Sequence, residues 1–391
     1  MPEGIQVKIE TTRPAAPPVS KTTDKRIPAL DGLRAISILF VLFNHLVGTR
    51  YFSARLTPLG QFGNFGVRIF FVISGFLITT LLLREYERTG SISLTNFYLR
   101  RVLRIAPAAY AYLFVLAVLN VRYGILLRHD LLFAATYLTN FHPIRSWYVG
   151  HLWSLAVEEQ FYLLWPAVLA FWGVRPARRV AVVTILLVPI LRVAWWFAFP
   201  TMPMQTRIGE MFFTVADAIA CGCLLAIQRR WLWRQRWYGA LMESRWFFLV
   251  PVAATEFRFT YRHAIPHFLI SLPLMNLGIA LTMDWRMSHA RSAVGKFLDW
   301  KPMVFLGTLS YSLYLWQMPF LNQFSRAPWA AFPVNLCLAL LAALTSYKIV
   351  EQPFLKLKET IQLKRIGLAG RVDESSIHIP ERCSASSHVQ P

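Results

Sequence analysis

Residues 33–48 read LRAISILFVLFNHLVG, an apolar run with an arginine near its start and a histidine near its end. Arg34 and His45 are eleven positions apart. Because a helix turns about 100° per residue, both fall on one stripe, about 16 Å apart along the axis. Charged and titratable groups are rare inside membrane helices and mark functional sites there by default. The run therefore predicts a membrane helix that carries chemistry.

The rest of the chain repeats this apolar character. Of its 391 residues, 55% are hydrophobic and only 16% are charged. Such a composition excludes a soluble enzyme. We predict an all-α fold, a polytopic membrane helix bundle of about ten transmembrane helices. The predicted spans are 31–49, 65–83, 104–121, 152–173, 179–199, 211–228, 240–257, 265–283, 303–324 and 330–350.

The distribution of charge predicts the topology. Basic residues are spread over the loops between spans, so the net charge of +21 favours a positive-inside arrangement over nucleic-acid binding. The run 129–141 is too short to cross a membrane and is interpreted as re-entrant or interfacial. Both termini are then expected in the cytoplasm.

Polar tails flank the predicted membrane domain. Residues 1–29 form a polar tail without a signal peptide, and 357–391 form a second tail that is predicted to be disordered. The membrane domain is expected to cover residues 30–356. The cysteines show no disulfide or metal framework.

Three titratable residues suggest acid–base chemistry. His45 is either a neutral imidazole satisfied by a neighbouring helix, or a general base for a hydroxyl acceptor. Glu158 and Glu159 lie about 9 Å from the outer end of their predicted span, at a depth similar to that of His45. Either glutamate could orient the imidazole. Alternatively, both make structural ion pairs, with Arg68 as a candidate partner.

Other charged residues are interpreted by their spacing. Arg101 and Arg104 share one helical face and could grip a diphosphate or phosphorylated ribose; a cluster that meets anionic lipid headgroups is the alternative. Arg192 and Asp217 match in depth and are interpreted as a structural pair. The chain contains no P-loop, HExxH motif or nucleophile-elbow serine, which disfavours ATP-driven transport and serine hydrolysis.

The ordered motifs of the chain make a family resemblance visible. They are PALDGLRAISILFVLFNH, GVRIFFVISGFLIT, FYLRRVLRIAP, HLWSLAVEEQFYLLWP, LGTLSYSLYLWQMP and IVEQPF. Their order and spacing resemble the membrane-bound acyltransferase family 3, which O-acylates sugars of bacterial surface glycans. The resemblance covers about residues 27–356. It implies a catalytic motif at Arg34 and His45, an acyl-CoA site at Arg101 and Arg104, and a catalytic acidic residue at Glu158.

The chain departs from the family pattern at two positions. Arg68 stands where an acidic residue is common, and Gln317 stands where a histidine is common. A glutamine hydrogen-bonds but cannot shuttle a proton, which concentrates the acid–base role on His45. Further substrate-binding candidates are Ser74, Tyr162, Tyr314 and Gln317. Some relatives carry a C-terminal SGNH hydrolase domain; the chain is expected to lack it and to act alone or with a separate periplasmic helper.

The sequence thus predicts an integral O-acyltransferase of the bacterial cytoplasmic (inner) membrane. It is expected to move an acyl group, most simply acetyl from acetyl-CoA, to a hydroxyl of a glycan or glycoside acceptor, with His45 as general base and no metal. Membrane lipid is an expected partner, and nucleic acid is not. The alternative is a transporter or flippase of a lipid-linked glycan, since charged residues also line translocation pathways.

Overall fold

The computed structural model describes residues 28–200, 205–256 and 263–361, and within these ranges it contains helices and no strand. The all-α prediction is confirmed. Helices of eight or more residues are named in chain order. They are α1 (Pro28–Leu46), α2 (Gly63–Thr89), α3 (Leu94–Tyr123), α4 (Leu152–Trp172), α5 (Val174–Ala198), α6 (Phe212–Leu232), α7 (Arg236–Glu243), α8 (Leu249–Glu256), α9 (Leu272–Ser288), α10 (Lys301–Trp316) and α11 (Val334–Ser346).

Within the described ranges, seven helical stretches are long and apolar enough to cross a membrane. The predicted count of about ten spans is not confirmed. A single span over 240–257 is wrong, because α7 and α8 are separated by the turn Arg245–Phe248 at the charged residues of this segment. The seven stretches are Ala29–Leu46, Ala54–Thr89, Leu94–Tyr123, Val174–Ala198, Arg207–Leu232, Ala264–Ser288 and Val334–Ile361.

The bundle has two ends that can be defined by side-chain contacts. The ring of His45, in the last turn of α1, lies 5.9 Å from that of Trp147, which precedes α4. We call this the His45 end. At the opposite end, which we call the Arg101 end, α2 finishes and α3 begins. There Arg230 of α6 forms an ion pair with Glu87 of α2 at 2.6 Å.

A tight connection between α2 and α3 determines where the arginine motif enters the bundle. Gly90 ends α2 with φ 72°, a left-handed conformation that glycine adopts without strain. Three residues later, the Ser93 side chain caps α3 by accepting from the Asn96 amide at 3.4 Å. The motif 96–107 therefore forms the first turns of α3, so Arg101 faces the interior near this end.

Close contacts of glycines hold the central helices together. A Cβ atom on Gly75 of α2 would lie 2.0 Å from the Ile219 carbonyl oxygen of α6, and one on Gly222 would lie 2.0 Å from the Val72 oxygen. Small residues allow helix backbones to approach closely where lipid removes the usual hydrophobic drive for association. Gly307 of α10 makes a similar contact with the Asp31 oxygen of α1.

The segments outside the long helices compare with the predictions as follows. The run 129–141 contains only Asp130–Ala135 and the 3-10 turn Thr139–Phe141, as a run too short to cross requires. Helix α1 begins at Pro28, and the last helical stretch continues to Ile361. The C-terminal tail predicted over 357–391 therefore begins inside a helix. Residues 1–27 and 362–391 lie outside the described ranges.

Replacing Gly222 by valine tests the contact between α2 and α6. The added side chain would overlap the Val72 carbonyl, so we expect the variant to lose about 1–3 kcal/mol of stability or to fail to accumulate. Thermal unfolding in detergent, followed by size-exclusion chromatography, measures this loss. Gly239→Ala is the control, since nothing lies within 4 Å of a Cβ there; equal stability of the two variants would contradict the contact.

Candidate active site

A cavity runs into the bundle between α1, α2, α3, α4 and α10, and we call it the central cavity. Its empty volume is about 800 Å³, including its open mouth. Five helices contribute to its wall, so only the folded bundle creates it. The lining residues are Arg34, Val67, Phe70, Phe71, Ile73, Ser74, Leu77, Arg101, Arg104, Ile105, Ser154, Leu155, Glu158, Tyr162, Ser310, Tyr311 and Tyr314.

Three arginines converge on the central cavity. Arg34 comes from α1, and Arg101 and Arg104 come from α3. The Arg101 guanidinium stacks on the Tyr162 ring, 3.9 Å from its centroid. Among the described residues, no ion pair involves any of these three arginines. Their positive charges therefore face the cavity and suit an anionic ligand.

Arg100, the neighbour of Arg101, has a different environment. Its Nη2 donates to Glu85 Oε2 of α2 at 3.0 Å, and it does not line the central cavity. Arg100 therefore stabilises the connection between α2 and α3 through its ion pair, whereas Arg101 faces the central cavity.

Glu158 belongs to a hydrogen-bond network in the wall of the central cavity. Ser74 Oγ donates to Glu158 Oε1 at 2.6 Å, and the Tyr162 hydroxyl donates to Ser74 Oγ at 3.2 Å. Ser74 and Tyr162, both predicted substrate-binding residues, therefore lie beside the predicted catalytic carboxylate. The neighbouring Glu159 does not line the cavity, and its Oε1 is buried without a hydrogen-bond partner.

His45 lies beyond this network. Its Nδ1 is 3.2 Å from Gln317 Oε1 of the turn after α10. Because an amide oxygen can only accept, this contact places the proton on Nδ1 and leaves Nε2 able to accept one. The sequence suggested that Glu158 or Glu159 could orient this ring, but among the described residues His45 contacts Gln317 and Glu158 accepts from Ser74. Since α1 ends at Leu46, His45 reaches the level of Trp147, whereas Glu158 lies about 9 Å inside α4.

Tyr314 connects the two groups. Its hydroxyl donates to the His151 carbonyl at 2.6 Å and lies 2.6 Å from Ser154 Oγ in the cavity wall. Its carbonyl accepts from Gln317 Nε2 at 3.1 Å, which orients the amide that contacts His45. Tyr314 therefore forms the boundary between the central cavity and His45.

Sequence reasoning missed some residues of the cavity wall. Ser154, Glu158 and Tyr162 recur at intervals of four along α4, and Ser310 and Tyr314 do so along α10. Such spacing places each set on one helical face. This polar stripe could have predicted Ser154 and Ser310 as wall residues.

Within the described ranges, no group of three histidine, cysteine or acidic side chains could hold a metal ion.

A second charged group lies between α2, α5, α6 and α9. The Arg192 guanidinium of α5 forms an ion pair with Asp217 of α6, as the sequence predicted. Arg68 Nη1 lies 3.8 Å from the same carboxylate and donates to Asn276 Oδ1 at 3.1 Å. Arg68 thus approaches Asp217, and no ion pair joins it to Glu158 or Glu159 among the described residues.

Comparison with known proteins gives these motifs a family context. The acyltransferase domain profile matches residues 27–347. The O-acetyltransferase OatA of Staphylococcus aureus (strain NCTC 8325 / PS 47) is 29% identical over 367 residues, covering 84% of this chain and 57% of the relative. The peptidoglycan O-acetyltransferase OatA of Listeria monocytogenes is 29% identical over 371 residues, covering 84% and 55%. The chain thus spans little more than half the length of these relatives. No solved structure matches significantly.

Asp217→Asn tests the buried charge group. Removing the carboxylate leaves the guanidiniums of Arg68 and Arg192 together in a buried site, so we expect a loss of about 3–5 kcal/mol in stability. The thermal midpoint of the protein in detergent measures the effect. Glu87→Gln breaks the exposed pair with Arg230 and should cost less than about 1 kcal/mol; similar losses in both variants would argue against a buried pair.

Proposed function

Since the chain belongs to the acyltransferase domain family and is an acyltransferase, we propose that it is an integral membrane O-acyltransferase that moves acetyl from acetyl-CoA to a glycan hydroxyl. The observation that carries this proposal is the convergence of Arg34, Arg101 and Arg104 on a cavity whose wall includes Tyr314, and the Tyr314 carbonyl accepts from Gln317, the partner of His45. A cationic mouth and an imidazole base are the parts that transfer from a phosphorylated thioester to an alcohol requires.

The arginines give the acyl donor its binding site. Arg101 and Arg104 lie one helical turn apart on α3 and can donate several hydrogen bonds to the phosphate groups of acetyl-CoA. Arg34 lies opposite them on α1 and is proposed to neutralise the remaining negative charge. The donor supplies an acyl group activated as a thioester.

His45 is proposed to act as the general base. With Nδ1 bonded to Gln317, its Nε2 takes the proton of the acceptor hydroxyl as that oxygen bonds to the acyl carbon, and then returns the proton to the leaving sulfur. Gln317 acts as a positioning residue, because it fixes the tautomer without titrating. Glu158 is proposed to act through Ser74, within the cavity wall, and not by holding the imidazole.

The acceptor is proposed to be a glycan of the bacterial cell envelope. Relatives that match 84% of the chain are O-acetyltransferases, and one is described as acting on peptidoglycan. The proposed location is the cytoplasmic membrane, with both termini and the Arg101 end towards the cytoplasm, where acetyl-CoA is made. The alternative of a transporter or flippase loses support, because the family is enzymatic.

The proposal is tested with the purified full chain in proteoliposomes. Radiolabelled acetyl-CoA added on the Arg101 side should label a chitooligosaccharide or peptidoglycan glycan strand. His45→Ala should reduce the transfer rate by about 10²- to 10⁴-fold, because a general base contributes about that factor. His129→Asn is the control: His129 is exposed with φ 70°, a conformation that asparagine tolerates. Unchanged transfer by His45→Ala would refute the role of the base.

A second prediction separates donor binding from packing. Arg101→Ala and Arg104→Ala should each raise KM for acetyl-CoA about 10- to 100-fold, because hydrogen bonds to charged groups contribute about 1.5–3 kcal/mol. Steady-state kinetics at saturating acceptor measures this. Arg100→Ala is the matched control, since Arg100 pairs with Glu85 outside the cavity. The donor site would be misplaced if all three variants raised KM equally.

A further inference from the structure

The indole ring of Trp147 packs against the imidazole of His45. The two rings are nearly perpendicular, at an interplanar angle of 87°, with 5.9 Å between their centroids. Aromatic rings prefer such an edge-to-face arrangement at separations of about 4.5–7 Å. Since the Gln317 amide contacts Nδ1 of the same imidazole, the His45 ring has two separate contacts, one with an amide and one with an aromatic ring.

The indole is itself held in place at its nitrogen. Trp147 Nε1 donates to the carbonyl oxygen of Met318, a buried residue, at 3.0 Å. The Phe324 ring packs on Trp147 at an interplanar angle of 86°, with 5.4 Å between the centroids. Met318 directly follows Gln317, so the turn after α10 supports His45 in two ways. Gln317 contacts the imidazole, and Met318 anchors the indole that packs against it.

The backbone on both sides of Trp147 is also fixed. The Ser146 amide donates to Asp130 Oδ2 at 3.2 Å. On the other side, the Tyr112 hydroxyl of α3 donates to the Tyr148 carbonyl at 2.6 Å. These bonds join the neighbours of Trp147 to other parts of the fold, so the position of the indole is set by tertiary contacts and not by its own short segment.

His45 is a residue that needs such support. It lies in the last turn of α1, which ends at Leu46, and helix ends fray because their last carbonyl groups lack intrahelical partners. The histidine side chain rotates about two bonds, and one hydrogen bond to Gln317 cannot restrain both rotations. A general base, however, must stay within hydrogen-bond reach of the proton that it takes. A second contact is therefore required to fix the ring.

We propose that Trp147 is a positioning residue, which holds the His45 imidazole in the orientation that directs Nδ1 to Gln317 and Nε2 to the acceptor hydroxyl. The inference rests on the proposed function for the role of His45 as general base. In this scheme Trp147 touches neither the acyl group nor the transferred proton. It therefore changes the rate of acetyl transfer and leaves the affinity for both substrates unchanged.

The kinetics of Trp147→Leu test the inference, with the full chain in proteoliposomes and tetra-N-acetylchitotetraose as acceptor. This variant removes the ring contact and the indole N–H, so kcat should fall about 10- to 100-fold, as expected for a misplaced catalytic group. KM for acetyl-CoA and for the acceptor should each stay within about twofold. Trp147→Phe keeps a ring but lacks the donor to Met318, so a smaller loss of about three- to fivefold is expected. Trp147→Phe carries the test if Trp147→Leu does not accumulate.

A double-mutant cycle with His45→Ala separates positioning from general damage. Because Trp147 acts through His45, adding either Trp147 variant to His45→Ala should change the remaining transfer rate by less than about twofold. Losses that multiply would overturn the inference. A raised acceptor KM at unchanged kcat would do so as well, because Trp147 would then bind the acceptor. The matched control is Trp329→Leu, an exposed tryptophan of the loop after α10, which should keep the wild-type kcat; an equal loss in this variant also counts against the inference.

Thermal midpoints in detergent add a readout that does not depend on acetyl transfer. His45→Ala and Trp147→Leu remove the same ring contact, so the shift of the double variant should be smaller than the sum of the two single shifts. Additive shifts would contradict the contact. If the wild type transfers no acetyl group but the shifts are coupled, the proposed reaction is wrong and the support of the ring by Trp147 stands. If transfer proceeds and the kinetic losses multiply, the reaction stands and Trp147 does not act through His45.

Discussion

Three guanidinium groups inside an apolar bundle form the constraint on which the arrangement of the site depends. A charge buried among apolar helices costs several kcal/mol unless it is paired or reaches water. Arg34, Arg101 and Arg104 satisfy this requirement by facing one open cavity, and the nearby Arg100 satisfies it with Glu85. The cavity is therefore the feature that makes this cluster tolerable, and its three positive charges suit an anionic ligand.

The proposed base is prepared by a neighbour that cannot itself titrate. The Gln317 amide accepts from His45 Nδ1 with its oxygen and donates to the Tyr314 carbonyl with its nitrogen. Since both amide atoms are engaged, the amide cannot rotate without losing a contact. A histidine at this position could switch between donor and acceptor; glutamine holds one tautomer of His45 and leaves proton transfer to that ring alone.

Helices α2 and α4 lie between the central cavity and a second cavity, whose lining includes Trp153, Trp196 and Phe268. Glycine contacts bring α2 close to α6, which positions one face of α2 against the central cavity and the adjoining face against the second cavity. Helix α4 contributes Ser154 to the first and Trp153 to the second. The two packed helices therefore form the partition between the two cavities.

The sequence by itself determined the helical class, the positions of most long helices, the acyltransferase family and the arginines of the cavity. These features follow from local periodicity and from motifs carried within single segments. Only the tertiary structure decided that Glu158 bonds to Ser74, that His45 lies with Gln317 at the end of α1, and that a second cavity exists. Partners on different helices depend on crossing angles and close contacts, and no single segment encodes those.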